Sequence, residues 1–158
     1  MKILGIDPGT TRTGYGLIEK TRGVRLIACG LINGEGIEKE DRLSHLERQM
    51  QKLVRVHKPD LVCLEKLFFS KNKKTASSVS EARGVILLVL QKNKLELMEF
   101  GPSEVKSAVT GNGSASKQEV SRAVAWTLEV KDIPGPDDVS DALAIALRGA
   151  FDISSKRA

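Results

Sequence analysis

The chain has 158 residues, the size of one domain with one core. Its 41% hydrophobic and 28% charged residues are ordinary for a globular protein, and no apolar run is long enough for a membrane helix. The net charge of +5 admits a polyanionic partner, while one Trp and one Tyr exclude a broad aromatic stacking platform.

In chain order, Lys2 to Ile6 is an apolar run of strand length, and Asp7 sits where that strand should end. Pro8-Gly9 cannot continue a central strand and turn the chain tightly. An acid at the end of a buried strand is costly to ionise unless a helix N-terminus, a lysine or a metal pairs with it. An Asx-turn closed by Asp7 itself is the plainer alternative. Gly14 to Glu19 and Val24 to Ile32 read as second and third strands joined by the turn Thr21-Arg22-Gly23. An antiparallel meander of the first three strands is expected. Cys29 and Cys63 lie in apolar runs without zinc-ligand spacing and read as free thiols of a reducing compartment. With no signal-peptide core at the N-terminus, a cytoplasmic location is expected.

Asp41 to His57 carries one apolar stripe at helical spacing, and Pro59 breaks it. Leu61-Val62-Cys63-Leu64-Glu65 is again an apolar strand that ends in an acid. A strand apolar at every position is buried on both faces, as in a parallel or mixed sheet, and the helix before it supplies the crossover. Lys66 to Lys74 is a basic loop with Phe68 and Phe69 side by side. Thr75 to Asn93 keeps a helical phase, although Val85 to Leu90 alone has strand composition. Leu95 to Phe100 reads as the fifth strand, and Pro102 opens a short helix to Val109. Ser116 and Glu119 form a capping box for a helix to about Leu128. A last helix is expected from Asp137 to Phe151. The fold class is therefore α/β, with one domain over 1–152 and a short basic tail over 153–158.

Asp138 and Asp141 are three residues apart and share a helical face. Acids in a first turn cap a helix, which explains Asp137 and Asp138 better than Asp141. Asp7, Glu65, Asp138 and Asp141 at one spot would repel one another and raise their pKa values. A divalent cation resolves that conflict, and an all-oxygen donor set suits Mg²⁺ or Mn²⁺. Two such ions can activate a water and stabilise the leaving oxygen in phosphodiester hydrolysis. From spacing alone, a structural acid set and a metal site both stand.

Gly5-Ile6-Asp7-Pro8-Gly9, Thr13-Gly14-Tyr15-Gly16, Leu64-Glu65-Lys66-Leu67-Phe68-Phe69, Gly111-Asn112-Gly113 with Lys117, and Asp138-Val139-Ser140-Asp141-Ala142-Leu143-Ala144 resemble the RuvC Holliday-junction resolvases. The resemblance runs in order along essentially the whole chain. It implies an RNase H-like fold with a five-stranded mixed sheet, a homodimer, and Mg²⁺-dependent paired nicking of like-polarity strands at a four-way DNA junction. The family's catalytic and metal-binding carboxylates fall on Asp7, Glu65, Asp138 and Asp141. Its DNA-contacting lysines fall on Lys106 and Lys117, and its junction-intruding aromatic on Phe68. Lys71, Lys73 and Lys74 would draw DNA to the same loop. A branch-migration motor is the partner the resemblance implies. Gly5 to Thr11 is also similar to the phosphate-binding turn of sugar kinases and actin-like ATPases, but one domain offers no second half to close on ATP. A non-catalytic junction-binding module explains the charge without explaining two acids at strand ends. A nuclease of the same fold acting on RNA accounts less well for Leu67-Phe68-Phe69 and the late Asp-x-x-Asp.

Overall fold

The computed structural model describes residues 1–66 and 73–156, with side chains for 1–66 and 77–155. Three strands open it: β1 (Lys2–Asp7), β2 (Arg12–Lys20) and β3 (Val24–Asn33). A short 3-10 turn leads into α1 (Arg42–His57), then β4 (Leu61–Glu65) and α2 (Lys73–Lys92). The rest is β5 (Glu96–Phe100), α3 (Pro102–Thr110), α4 (Lys117–Thr127) and α5 (Asp137–Lys156).

The strands form one mixed sheet in the order β3-β2-β1-β4-β5. β1, β2 and β3 are the antiparallel meander expected from their turn signals. β4 runs parallel to β1, and β5 parallel to β4. Each parallel step uses a helix as its crossover, which is what the connection requires. The four apolar residues of β4, Leu61 to Leu64, are buried because helices cover both faces of the sheet.

Alternation along the strands divides the core in two. Leu4, Ile6, Val62 and Leu64 face Leu46, Met50 and Leu53 of α1 and Ile86 and Val89 of α2. Ile3, Leu61 and Cys63 face the opposite layer, where Val105 of α3, Val124 of α4 and Leu143 and Leu147 of α5 pack. Val85 to Leu90 is helical: Ile86, Val89 and Leu90 turn inward, while Leu88 is exposed.

α5 runs past Phe151, where the sequence pattern was expected to stop, as far as Lys156. Ile153 packs against the core and Arg148 pairs with Asp152 at 3.1 Å, so this last stretch has partners that hold it helical. The part of the expected tail up to Lys156 is therefore helix. Among the described residues no helix is long and apolar enough to cross a membrane.

Candidate active site

The strand pattern decides where the first two acids point. In β1 and β4, Ile6 pairs with Leu64, so Asp7 and Glu65 end two adjacent parallel strands together. Both lie in phase with Ile3, Leu61 and Cys63, on the face that α5 covers. The turn after Asp7 is held by the buried Thr13, whose Oγ1 donates to the Gly9 carbonyl at 2.5 Å and accepts from the Gly9 N–H at 3.3 Å.

Glycine brings the other two acids in. Gly14 pairs with Asp7 across β1 and β2, and a Cβ on Gly14 would collide with the backbone carbonyl of Asp138. The start of α5 therefore lies against the strand next to Asp7 because Gly14 has no side chain. Ala142 and Ala146, small residues on α5, let the helix approach Gly5 just as closely. Asp138 and Asp141 ride on the first turns of this helix.

The electrostatics follow from that convergence. Burial, then the charges of Asp141, Glu65 and Asp138, push the Asp7 carboxyl up to about 7, against a smaller opposing pull from Lys117. Glu65 is raised by burial and by Asp141, with Lys106 opposing. Asp141 is raised chiefly by burial; Lys117 opposes that, while Asp137 and Asp138 add to it. Four carboxylates thus share one field, and a chain without a cation here pays in protonation or repulsion.

Protein cations meet part of that need. Lys117, the first residue of α4, places its Nζ 3.4 Å from Asp137 and 3.9 Å from Asp141. A cation in a helix's first turn is unfavourable for that helix, and these acids, Asp141 foremost, instead raise its pKa. Arg12, at the start of β2, sits 3.5 Å from Asp138. Lys106 of α3 and Lys117 line a cleft of about 110 Å³ together with Glu65 and Asp141. The structure thus brings together Asp7, Glu65, Asp138, Asp141, Lys106 and Lys117. Phe68 and Lys71 lie outside the described residues, as do the side chains of Lys73 and Lys74 at the start of α2.

An all-carboxylate set in which Asp7, Glu65 and Asp141 are raised in pKa is chemistry that fits a hard divalent cation. Among the described residues, no three His, Cys, Asp or Glu side chains are gathered tightly enough to hold an ion as they stand.

Two contributors lie outside the sequence motifs. Arg12 is the sole cation between Asp7 and Gly16. Arg83 of α2 is the other: its guanidinium donates to the Glu65 backbone carbonyl at 3.0 Å. A lone arginine within a largely apolar helical stretch was the available signal, since arginine is rarely buried without partners.

Comparison with known proteins gives the family and the fold. The family model for crossover junction endodeoxyribonuclease RuvC matches residues 3–148. A crossover junction endodeoxyribonuclease RuvC from Caldicellulosiruptor saccharolyticus is 44% identical over 150 residues, covering 93% of this chain and 90% of the relative. The Thermus thermophilus RuvC structure superposes with a TM-score of 0.87 at 30% identity, over 99% of this chain and 97% of that one. The same T. thermophilus protein in complex with a Holliday junction substrate gives 0.90 at 30% identity, over 99% and 96%. The mixed sheet, its flanking helices and these matches define an RNase H-like nuclease. More narrowly, the chain belongs to the RuvC family of crossover junction endodeoxyribonucleases.

Proposed function

We propose that this chain resolves four-way DNA junctions by paired symmetric nicks in strands of like polarity, in homologous recombination and repair. Family membership and the junction complex of the T. thermophilus relative support the substrate. The observation that carries the chemistry is that Asp7 and Glu65 each follow the last paired residues, Ile6 and Leu64, of two adjacent parallel strands, on the face where α5 brings Asp138 and Asp141. These four residues are the proposed metal ligands and catalytic groups. Mg²⁺, with Mn²⁺ as a substitute and two ions during catalysis, would supply activation of water and stabilisation of the leaving oxygen. Asp7, the acid most raised in pKa, would give up its proton as it enters the ligand set. Lys106 and Lys117 stand at the cleft mouth, where they would bind phosphates flanking the scissile bond.

Residues 1–152 form the proposed nuclease domain. Phe68 is the proposed junction wedge, and Lys71, Lys73 and Lys74, close to it in sequence, are proposed to draw DNA to it. A homodimer matches a junction with two equivalent strands, and exposed Leu88 on α2 is apolar surface that such a mate would cover. A branch-migration motor is the proposed protein partner, and the cytoplasm the proposed location.

A cleavage assay tests the reading. A synthetic four-way junction should be nicked symmetrically with Mg²⁺ and left intact without it, and linear duplex should be spared. Equal cutting of duplex and junction would overturn the assignment.

A further inference from the structure

We infer that Arg12 is an exchangeable counter-ion of the acid cluster: it holds Asp138 in the DNA-free protein and releases it when a DNA phosphate takes the guanidinium. This inference rests on the junction-resolvase reading above and adds a regulation of the same site, namely that substrate binding frees a ligand for the metal.

The geometry points to a contact built to exchange. The Arg12 guanidinium lies 3.5 Å from the Asp138 carboxylate, an ion contact longer than a good charge-assisted hydrogen bond. Arg12's side chain is 46% exposed and Asp138's 25%, so the cation reaches solvent more freely than the acid it contacts. The backbones beneath do not need to move. Gly14 seats the first turn of α5 against β2, and Asn33 of β3 pairs with Arg12 across the sheet. Only two side chains need to rotate.

The chemistry of the two partners favours the exchange. A guanidinium is charged at every working pH and presents a fork of donors that matches a phosphate as well as a carboxylate. Asp138 separated from Arg12 would offer a hard oxygen ligand beside three other acids, the donor chemistry a divalent cation takes. Arg12 and Lys117 contact different members of the cluster: Arg12 takes Asp138, and Lys117 takes Asp137 and Asp141. Arg12 is therefore not a duplicate of Lys117. Without DNA, the guanidinium competes with Mg²⁺ for Asp138. With DNA, the phosphate competes with Asp138 for the guanidinium. The two equilibria are linked, so junction binding strengthens metal binding and metal binding strengthens junction binding.

Arg12→Gln tests this in the intact protein. Mg²⁺ titrated calorimetrically into the DNA-free protein should bind the variant several-fold more tightly than wild type. In an Asp138→Asn background the same substitution should leave Mg²⁺ affinity where it was. Junction affinity, followed by fluorescence anisotropy against salt, should fall, and the salt slope should drop by about one counterion. An equal gain in Mg²⁺ affinity in both backgrounds would make the effect a general one of net charge and overturn the exchange. So would an unchanged salt slope. Wild-type nicking of a four-way junction reports separately on the underlying reading. If wild type does not nick, that reading falls; if it nicks while Arg12→Gln alters neither Mg²⁺ affinity nor salt slope, only the role of Arg12 falls.

Discussion

Arg83 on α2 donates to the backbone carbonyl of Glu65 at 3.0 Å and at the same time forms an ion pair with Glu99 on β5. Leu64 and Glu99 are register partners, so the guanidinium clips the C-terminal ends of β4 and β5 to the helix that follows. Glu65 is the last residue of its strand, where the β1–β4 pairing has already ended. The Lys66 N–H donates to the Phe100 carbonyl at 2.8 Å, and with Arg83 it fixes both sides of the Glu65 peptide.

Arg83→Met should therefore act on Glu65 without touching its carboxylate. The side chain is only 11% exposed, and its loss leaves a carbonyl and the Glu99 carboxylate short of a donor. A stability loss of about 2 kcal/mol is expected. Junction binding should persist while the nicking rate falls. Arg83→Lys should restore the ion pair but not the second hydrogen bond, giving an intermediate rate. Thermal unfolding and single-turnover nicking at saturating junction measure the two effects. Full activity of Arg83→Met would mean that the strand alone holds Glu65.

Asp7→Asn should abolish nicking and, without metal, stabilise the fold. The sign follows from the raised carboxyl. Folded, Asp7 titrates near 7; unfolded, near 3.8. Between those values the folded state holds the extra proton, so the Asp7 contribution to stability falls as pH rises from about 4 to 7. The full shift corresponds to at most ~4 kcal/mol, and a gain of about 2 kcal/mol at pH 8 is expected because the side chain keeps some contact with water. Wild type and variant should converge in stability towards pH 4. Denaturant unfolding in chelator across that range checks it. A variant less stable than wild type at pH 8 would show that the carboxylate, rather than straining the site, supports it.

Much of this site could be read from the amino-acid order because strand ends and helix starts have local signatures. Asp7 and Glu65 each close an apolar run, and Asp138 and Asp141 sit at helical spacing near a helix start. Their convergence was less visible. It depends on alternation through a parallel register and on Gly14 and Gly5 letting α5 come close, which are tertiary relations. The cations on the acids were harder still. Arg12 and Asp138 are far apart in sequence, as are Arg83 and Glu99, and although a lone arginine marks α2, nothing local names either partner. The extension of α5 to Lys156 had the same cause: the core contact of Ile153 overrides a polar, weakly helical end.

Lys106→Ala and Lys117→Ala should separate two roles. Each should weaken binding to junctions of every sequence and lower the salt slope by about one counterion. Lys117→Ala should also remove the cation nearest Asp137 and Asp141, so the pKa of Asp141 should rise further. Its nicking should consequently turn on at higher pH than that of wild type. Lys106 also opposes the rise at Glu65 and Asp141, so Lys106→Ala should shift the profile in the same direction. An unchanged salt slope in either variant would place that lysine away from DNA.

Paired alanine substitutions at two glycines test whether close approach, and not chain flexibility, builds the site. A Cβ on Gly14 would meet the Asp138 carbonyl, so Gly14→Ala must push the first turn of α5 away from β2. That movement carries Asp138 and Asp141 away from Asp7. A loss of about 1–3 kcal/mol is expected, as for other overpacked sites. Nicking should fall more than stability explains, and the Mg²⁺ concentration for half-maximal nicking should rise. Gly84 is the opposite case. It lies on the exposed side of α2 and a Cβ there meets nothing within 4 Å. Gly84→Ala should stabilise the protein by about 1 kcal/mol, because alanine favours helix and restricts the unfolded chain. Thermal unfolding of both variants, with nicking measured at a temperature where each is folded, gives the comparison. If Gly14→Ala retains full nicking at ordinary Mg²⁺, the contact between β2 and α5 does not position the acids. If Gly84→Ala is destabilised instead, the exposed face of α2 is covered in solution, and a second copy of the chain is the first candidate to look for by sedimentation.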